Sequence, residues 1–285
     1  MRASRLCAWV LMGCAAAAIA QAQVKPQLNP RAGTITVLKQ GAATVHSYTA
    51  PAEGLFVTSQ IIETAHQLVI VDAQYTEAHA REVLEYARSL GKPIARLYVS
   101  HAHPDHWNGL QVFAGTPVWT LPAIRDEIAG RARSGAGDLH AVSSDALSAG
   151  FEILDGLRFD YLPVGAAEGS AHLVIGLPQI RTLVAQDLVY HRVHLYSGQG
   201  AAEAWQRALQ PLRTRDDVSI LPGHGTPAGR EVYDEMSAYL ADLVRLRAES
   251  PDGAALKQAL LTRHPDYVGE RLIDISLPRL YPAPR

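Results

Sequence analysis

Residues 101–106, His101-Ala102-His103-Pro104-Asp105-His106, put three imidazoles and a carboxylate within six positions. Just before them, residues 94–100 form an apolar, strand-forming run, so the segment stands at the end of a buried strand. In an extended turn, residues two apart project to the same side, which lets His101 and His103 grip one metal ion. Asp105 and His106 project from the next bend toward a neighbouring position. Pro104 removes a backbone donor and fixes φ, which stiffens the turn. A fold for this chain must carry a buried strand that delivers a metal-binding loop.

The rest of the chain can build such a core. It has 285 residues, 48% hydrophobic and 19% charged, a globular mixture that excludes disordered, collagen-like and coiled-coil classes. Lysine and arginine number 26 against 28 aspartates and glutamates. With no basic excess or basic run, nucleic acid is not an expected partner. The 12 histidines are the compositional anomaly, because histidine is a frequent metal ligand.

Residues 1–22 read as a signal peptide. Arg2 and Arg5 make a short basic start, residues 6–20 are almost wholly apolar, and Ala20-Gln21-Ala22 is a small-x-small cleavage site. The apolar run is shorter than the ~20 residues of a spanning helix. The expectation is a periplasmic or secreted protein beginning at Gln23, with no membrane insertion once the signal is removed. Leu11-Met12-Gly13-Cys14 resembles a lipobox and keeps lipid anchoring at Cys14 as the alternative. Cys7 and Cys14 are the two cysteines of the chain. A mature protein therefore has no disulfide, thiolate ligand or cysteine nucleophile. The expected division is a signal over residues 1–22, a catalytic domain over 23–248 and a helical extension over 249–285 packed on it.

Short β-branched runs at residues 34–38, 44–48 and 55–58 read as strands, and the apolar run 67–72 as a strand covered on both faces. A helix follows, with Thr76 as N-cap, and stops at Gly91-Lys92-Pro93. Residues 122–133 read as a helix, 134–148 as a surface loop, and 151–154, 157–162, 172–177 and 180–185 as strands. A helix over 201–210 closes at Pro211, and a last buried strand at 218–221 leads to Pro222-Gly223-His224-Gly225. Two helices finish the chain, the second opening at Ser250-Pro251. Neither a Gly-x-Gly-x-x-Gly loop nor Gly-Lys-Ser/Thr occurs, so a nucleotide-phosphate cradle is not expected.

The His-x-His-x-Asp-His segment after a buried strand resembles the signature of the metallo-β-lactamase superfamily, and the resemblance extends over residues 34–248. It implies an α/β fold, an αββα sandwich of two mixed sheets flanked by helices. Pro222-Gly223-His224-Gly225 is similar to the family's last metal-binding loop, and Ala185-Gln186-Asp187 to the strand end with a bridging acid. Asp72, ending a strand ahead of a helix, is similar to the aspartate that braces the histidine loop. A plain strand-end aspartate reads the same way. The resemblance implies two divalent ions, zinc by default, with iron or manganese as alternatives. One would sit on His101, His103 and a third ligand from residues 165–172. The other would sit on Asp105, His106 and His224, with Asp187 bridging. A water between the ions would lose its proton near neutral pH and attack a small-molecule substrate. Asp105 would orient that hydroxide or receive the proton.

The expected activity is hydrolysis of a small ester, lactone or lactam. The family also contains thioesterases, alkylsulfatases and iron-dependent sulfur dioxygenases. Residues 185–201 are similar to exported alkylsulfatases, whose chains are much longer. Thioesterase or alkylsulfatase activity is the catalytic alternative, and a metal-stabilised binding protein the non-catalytic one.

Two residues compete for the third ligand. His172 would complete a set of three histidines. Counted back from Leu177-Pro178, where the family's strand ends, the ligand position falls on Glu168, and alkylsulfatases use glutamate there. Glu168 is the expected ligand and His172 the alternative. With Glu168, three carboxylates and a hydroxide balance two divalent ions, so the site attracts anions less strongly. Trp107, His172, His194 and Tyr196 are candidates for the pocket wall, and Trp107, His194 and Tyr196 serve equally well as packing or surface residues. His191 is placed like His194. His46, His66, His79, His140 and His264 read as structural or solvated.

Overall fold

The computed structural model describes residues 23–24, 32–133, 147–199 and 201–282. The expected signal peptide, Cys14 and most of the expected 134–148 loop lie outside the described residues. Among the described residues no helix is long and apolar enough to cross a membrane.

Strands β1 (Gln23–Val24), β2 (Thr34–Gln40), β3 (Ala43–Thr49), β4 (Thr58–Glu63), β5 (Leu68–Val71), β6 (Ile94–Tyr98) and β7 (Val118–Trp119) lie in chain order in one seven-stranded sheet. Pairing is antiparallel up to β5 and parallel from β5 to β7. A parallel step needs a crossover, and α1 (Glu77–Ser89) supplies it between β5 and β6. The Thr76 side chain caps that helix by accepting from the His79 amide, and Val83 and Ala87 are buried beneath it. The helical turn α2 (Pro104–Trp107) follows β6, and α3 (Pro122–Arg133) follows β7.

The second sheet contains β8 (Gly150–Leu154), β9 (Leu157–Val164), β10 (His172–Leu177), β11 (Thr182–His191) and β12 (Ser219–Gly225), in the order β12-β11-β10-β9-β8. Only β11 and β12 run parallel in it, joined through α4 (Ala202–Arg213). One apolar core draws on both sheets, with Val45, Val69 and Tyr98 from the first and Phe159, Ile175 and Leu221 from the second. A second core joins the second sheet to α4, α5 (Val232–Glu249), α6 (Gly253–Arg263) and α7 (Glu270–Leu280) through Val189, Trp205, Met236, Leu240, Leu256 and Leu272. The result is two mixed sheets flanked by helices.

Three details differ from the sequence expectation. The strand assigned to residues 55–58 is displaced to Thr58–Glu63, because Leu55 and Phe56 take positive φ of 60° and 59°. Thr58, Ser59 and Gln60 look polar enough for a turn, yet all three are fully buried. Thr58 and Ser59 donate to the Pro222 and Asp72 carbonyls, and Gln60 Nε2 donates to Thr58 Oγ1. Helix α4 runs on through Pro211 to Arg213, so the proline sits in its last turn and removes one intrahelical hydrogen bond without ending the helix. Three helices, not two, finish the chain. Asp252 caps α6 by accepting from the Ala255 amide at 2.9 Å, so Pro251 precedes the cap, and Gly269 at φ 83° starts α7.

Candidate metal centre

The site lies where the ends of β5, β6, β11 and β12 come together. Asp72 follows β5 with φ 66° and turns its carboxylate under the loop after β6. Its Oδ1 accepts from the Ser100 amide at 2.8 Å, and its Oδ2 accepts from Ser100 Oγ at 2.7 Å and Gln186 Nε2 at 2.5 Å. Oδ2 is also 2.7 Å from His106 Nδ1. That contact makes Nδ1 the proton-bearing nitrogen and leaves Nε2 to face inward. His103 takes the extended N-cap position of α2, with Pro104 at its first turn. Asp105 and His106 therefore leave from a helical turn rather than from a second extended bend.

The other half comes from the second sheet. Gln186 has φ 45°, and the β11–β12 register shifts on both sides of it. This bulge turns Asp187 into the cluster. His224 comes from β12, with Nδ1 2.8 Å from the Leu55 carbonyl, to which it donates. Glu168 arrives from the connection between β9 and β10 and is fully buried.

Seven side chains converge. His103 Nδ1 is 2.8 Å from Glu168 Oε1, and His101 Nε2 is 3.7 Å from Glu168 Oε2 and 3.6 Å from Asp187 Oδ2. His106 Nε2 is 3.1 Å from Asp187 Oδ1, and His224 Nε2 is 3.3 Å from both Asp187 Oδ2 and Asp105 Oδ2. Ligand atoms of His101, His103, Glu168 and Asp187 lie within 4.8 Å of one another, as do those of Asp105, His106 and His224. Nε2 of His101, His106 and His224, both Glu168 oxygens and Asp187 Oδ1 are buried without hydrogen-bond partners. Buried polar atoms are costly unless paired or bound to a metal. These donors fit divalent-metal binding, and Asp187 of the first group also lies 3.1 Å from His106 and 3.3 Å from His224 of the second.

His172 stands outside this set. Its ring is 5.1 Å from that of His101, and its Nε2 accepts from the Gly169 amide at 3.0 Å. Trp107 is buried under the loop, donating from Nε1 to the Ala102 carbonyl at 3.1 Å. His194 is buried against α5, its Nδ1 2.9 Å from Tyr239 Oη. Tyr196 packs edge-on against His103, with ring centroids 5.2 Å apart, and lines a cavity of about 470 Å³ over the cluster. Neither Trp107 nor His194 is in that lining. His264 stacks on Tyr239 at 4.5 Å, and His46 lies between Tyr86 and Glu63, both at 2.9 Å.

Three contributors were not anticipated from the sequence. Tyr190 donates from Oη to Asp187 Oδ2 at 2.7 Å and stacks on His224 at 4.5 Å. Gln199 Oε1 is 3.0 Å from His103 Nε2, which fixes that nitrogen as the donor and directs Nδ1 toward Glu168. Gly223 allows β12 to pass close behind Asp187. A strand's period of two puts residues 187 and 190 on opposite faces, so only a signal for the bulge could have revealed Tyr190.

Burial, reinforced by repulsion from His106, holds His101 well below the usual histidine range. For His103, burial opposes the charge, but the Glu168 carboxylate outweighs it and raises the group to about 9. Burial likewise opposes charge on His106 and His224, but Asp187 lifts His106 well above its ordinary value and His224 to about 10. Burial lifts Glu168 to about 7. In the metal-free protein at pH 7, His103, His106 and His224 thus carry protons that a metal must displace. Metal uptake is expected to release protons, and affinity to rise with pH by up to about tenfold per unit for each proton displaced. Calorimetry in buffers of different ionisation enthalpy measures that release, and uptake without it would contradict the assigned charges.

Residues 52–224 match the family model described as the metallo-beta-lactamase superfamily. A linear primary-alkylsulfatase of Pseudomonas sp. (strain ATCC 19151) is 25% identical over an alignment of 235 residues, covering 65% of this chain and 44% of that protein. The chain thus spans less than half the length of that relative. A metallo-beta-lactamase from Pontibacter korlensis superposes with a TM-score of 0.59 at 17% identity, covering 78% of this chain and 100% of that one. The metallo-beta-lactamase FIM-1 from Pseudomonas aeruginosa, solved in a mono-zinc form, gives 0.60 at 17% identity over 74% and 97%. At these identities the superpositions speak for the fold, the family model covers more than half of the chain, and the protein belongs to the metallo-beta-lactamase superfamily.

Proposed function

We propose that the protein is an exported, dinuclear metal-dependent hydrolase of small esters, lactones or lactams, working in the periplasm or outside the cell. The observation that carries this reading is the set of buried, unpaired donor atoms facing one another beneath an open cavity. Bound divalent ions, zinc by default for a histidine-rich set, supply Lewis acidity and acidify water.

The chain's own residues do the rest. Asp105 is the most open carboxylate of the cluster, with 14% of its side chain exposed, and it lines the cavity. Burial disfavours its charge, but His106 and His224 hold it below the usual carboxylate range. It therefore stays ionised at neutral pH, ready to accept a proton at Oδ and pass it to a leaving group. Tyr190 locks the Asp187 carboxylate by its hydrogen bond and His224 by stacking. Asp72 and Gln199 orient His106 and His103 from behind.

Sulfate-ester hydrolysis is a second reading, favoured by the similarity to the alkylsulfatase. The test is metal analysis of the purified protein, then turnover of nitrocefin, a lactone, an aryl ester, a thioester and an alkyl sulfate. Two equivalents of metal with ester, lactone or lactam turnover is the expected result. Turnover of the alkyl sulfate alone selects the second reading, and thioester alone selects a thioesterase. Full metal loading without turnover of any of them would leave a metal-stabilised binding protein.

A further inference from the structure

On the hydrolytic reading of this cavity, we propose that α7 reads the substrate. Its apolar residues receive a hydrocarbon segment, and Arg279, assisted by Arg131 of α3, pairs with an anionic group separate from the bond that is broken. The substrate class is an acyl ester whose chain carries a carboxylate away from the scissile carbonyl.

The apolar side is built from Leu272, Ile275 and Pro278 of α7, facing Leu55 and Tyr75. Ile275 is 44% exposed, a large aliphatic side chain left at the rim of a cavity. Hydrocarbon laid over it would be removed from water, which is favourable in proportion to the area covered. The cavity volume of about 470 Å³ is of the size that takes a small ligand.

Arg131 and Arg279 are the arginines in the described lining, and no lysine joins them. Arg279 donates to Tyr196 Oη, and the charges of both arginines are felt at that hydroxyl. Arg131 is paired with Glu127 at 2.8 Å, whereas Arg279 has no carboxylate partner among the described residues. The Tyr196 ring neighbours both Arg279 and the cluster, its centroid 5.2 Å from that of the His103 ring and 6.0 Å from Arg279 Cζ. An anion paired with Arg279 lies apart from the reacting atom.

The cluster itself is a poor place to recognise an anion. Asp105, Glu168 and Asp187 offset most of the positive charge that two divalent ions would bring. An anionic substrate would therefore find its counter-charge on α7. That helix lies outside residues 52–224, so this wall belongs to the chain beyond the matched family region.

A matched ester pair tests this in the zinc-loaded protein: 4-nitrophenyl hexanoate and the mono-4-nitrophenyl ester of adipic acid, which differ in a terminal carboxylate. The native protein is expected to prefer the anionic ester in kcat/KM. Arg279→Met is expected to lower the anionic-to-neutral ratio about fivefold to tenfold, chiefly through KM, with Arg279→Lys recovering part of it. Calorimetric titration with the monoanilide of adipic acid, an uncleaved counterpart, should show a Kd raised by a similar factor in Arg279→Met. Equal kcat/KM for the two esters, with anilide binding indifferent to Arg279, would overturn the proposal while leaving the hydrolase reading intact. Anilide binding that depends on Arg279, with neither ester cleaved, would support the anion site and reject ester hydrolysis instead.

Discussion

Glu168→Ala is expected to empty the His101–His103 site, whereas His172→Ala is expected to keep both metal ions. Both Glu168 oxygens are buried without a hydrogen-bond partner, one 2.8 Å from His103 Nδ1 and the other 3.7 Å from His101 Nε2. In the metal-free protein the protonated His103 is the counter-charge of this buried carboxylate, and a metal ion would take over that role once it displaces the proton. Removing it deletes a ligand and a unit of compensating charge together. The loss in metal affinity should exceed the roughly ten- to hundredfold typical of a residue that merely supports a ligand. His172 has already spent Nε2 on the Gly169 amide, so its loss leaves a hole beside the His101 ring rather than an incomplete ligand set. That variant should cost about 1–3 kcal/mol in stability and shift kinetics, with metal content unchanged. Elemental analysis of both purified variants decides the matter, and the reverse pattern of metal loss would assign the ligand to His172.

The contrast between these two residues also marks how far sequence reasoning reaches. His101, His103, Asp105 and His106 are legible because four candidate ligands sit within six residues after a recognisable strand. Glu168 is reached by register from Leu177-Pro178, since β10 is regular enough for counting to hold. Regularity fails at β11, where the register shift between Gln186 and Tyr190 breaks the alternation and lets the Tyr190 hydroxyl reach Asp187. Gln199 is equally hidden, because its contact with His103 spans 96 residues and carries no local pattern. The αββα layering is implied by the family resemblance that the histidine segment carries, not by the strand and helix runs themselves. The strand expected at residues 55–58 is misplaced because Leu55 and Phe56 are apolar enough to read as strand yet take positive φ, while the polar Ser59 and Gln60 belong to the strand that forms.

Gly223→Ala is expected to strip the metal centre and destabilise the fold, although it adds a single methyl group. A Cβ at position 223 would lie 1.7 Å from Asp187 Oδ1, 2.7 Å from the Asp187 amide nitrogen and 2.8 Å from the Gln186 carbonyl carbon. The carboxylate oxygen could swing away, but two of the three contacts are backbone, and β11 and β12 are paired at Gln186–Pro222 and Tyr190–His224. Relief therefore requires separating the two strands that carry Asp187 and His224. Those side chains meet at 3.3 Å, and Asp187 also sits 3.1 Å from His106. A shift of about half an ångström would pull the Asp187 carboxylate out of register with both groups of donors. Overpacking of this kind costs roughly 1–3 kcal/mol or more, which for a chain of this size lowers Tm by about 3–10 °C. Gly130→Ala is the matched control. Gly130 lies in α3 with nothing within 4 Å of its would-be Cβ, so the same change there should be neutral or slightly stabilising. Retention of both metal ions and the native Tm by Gly223→Ala would mean that the close passage of β12 is not what holds Asp187 in place.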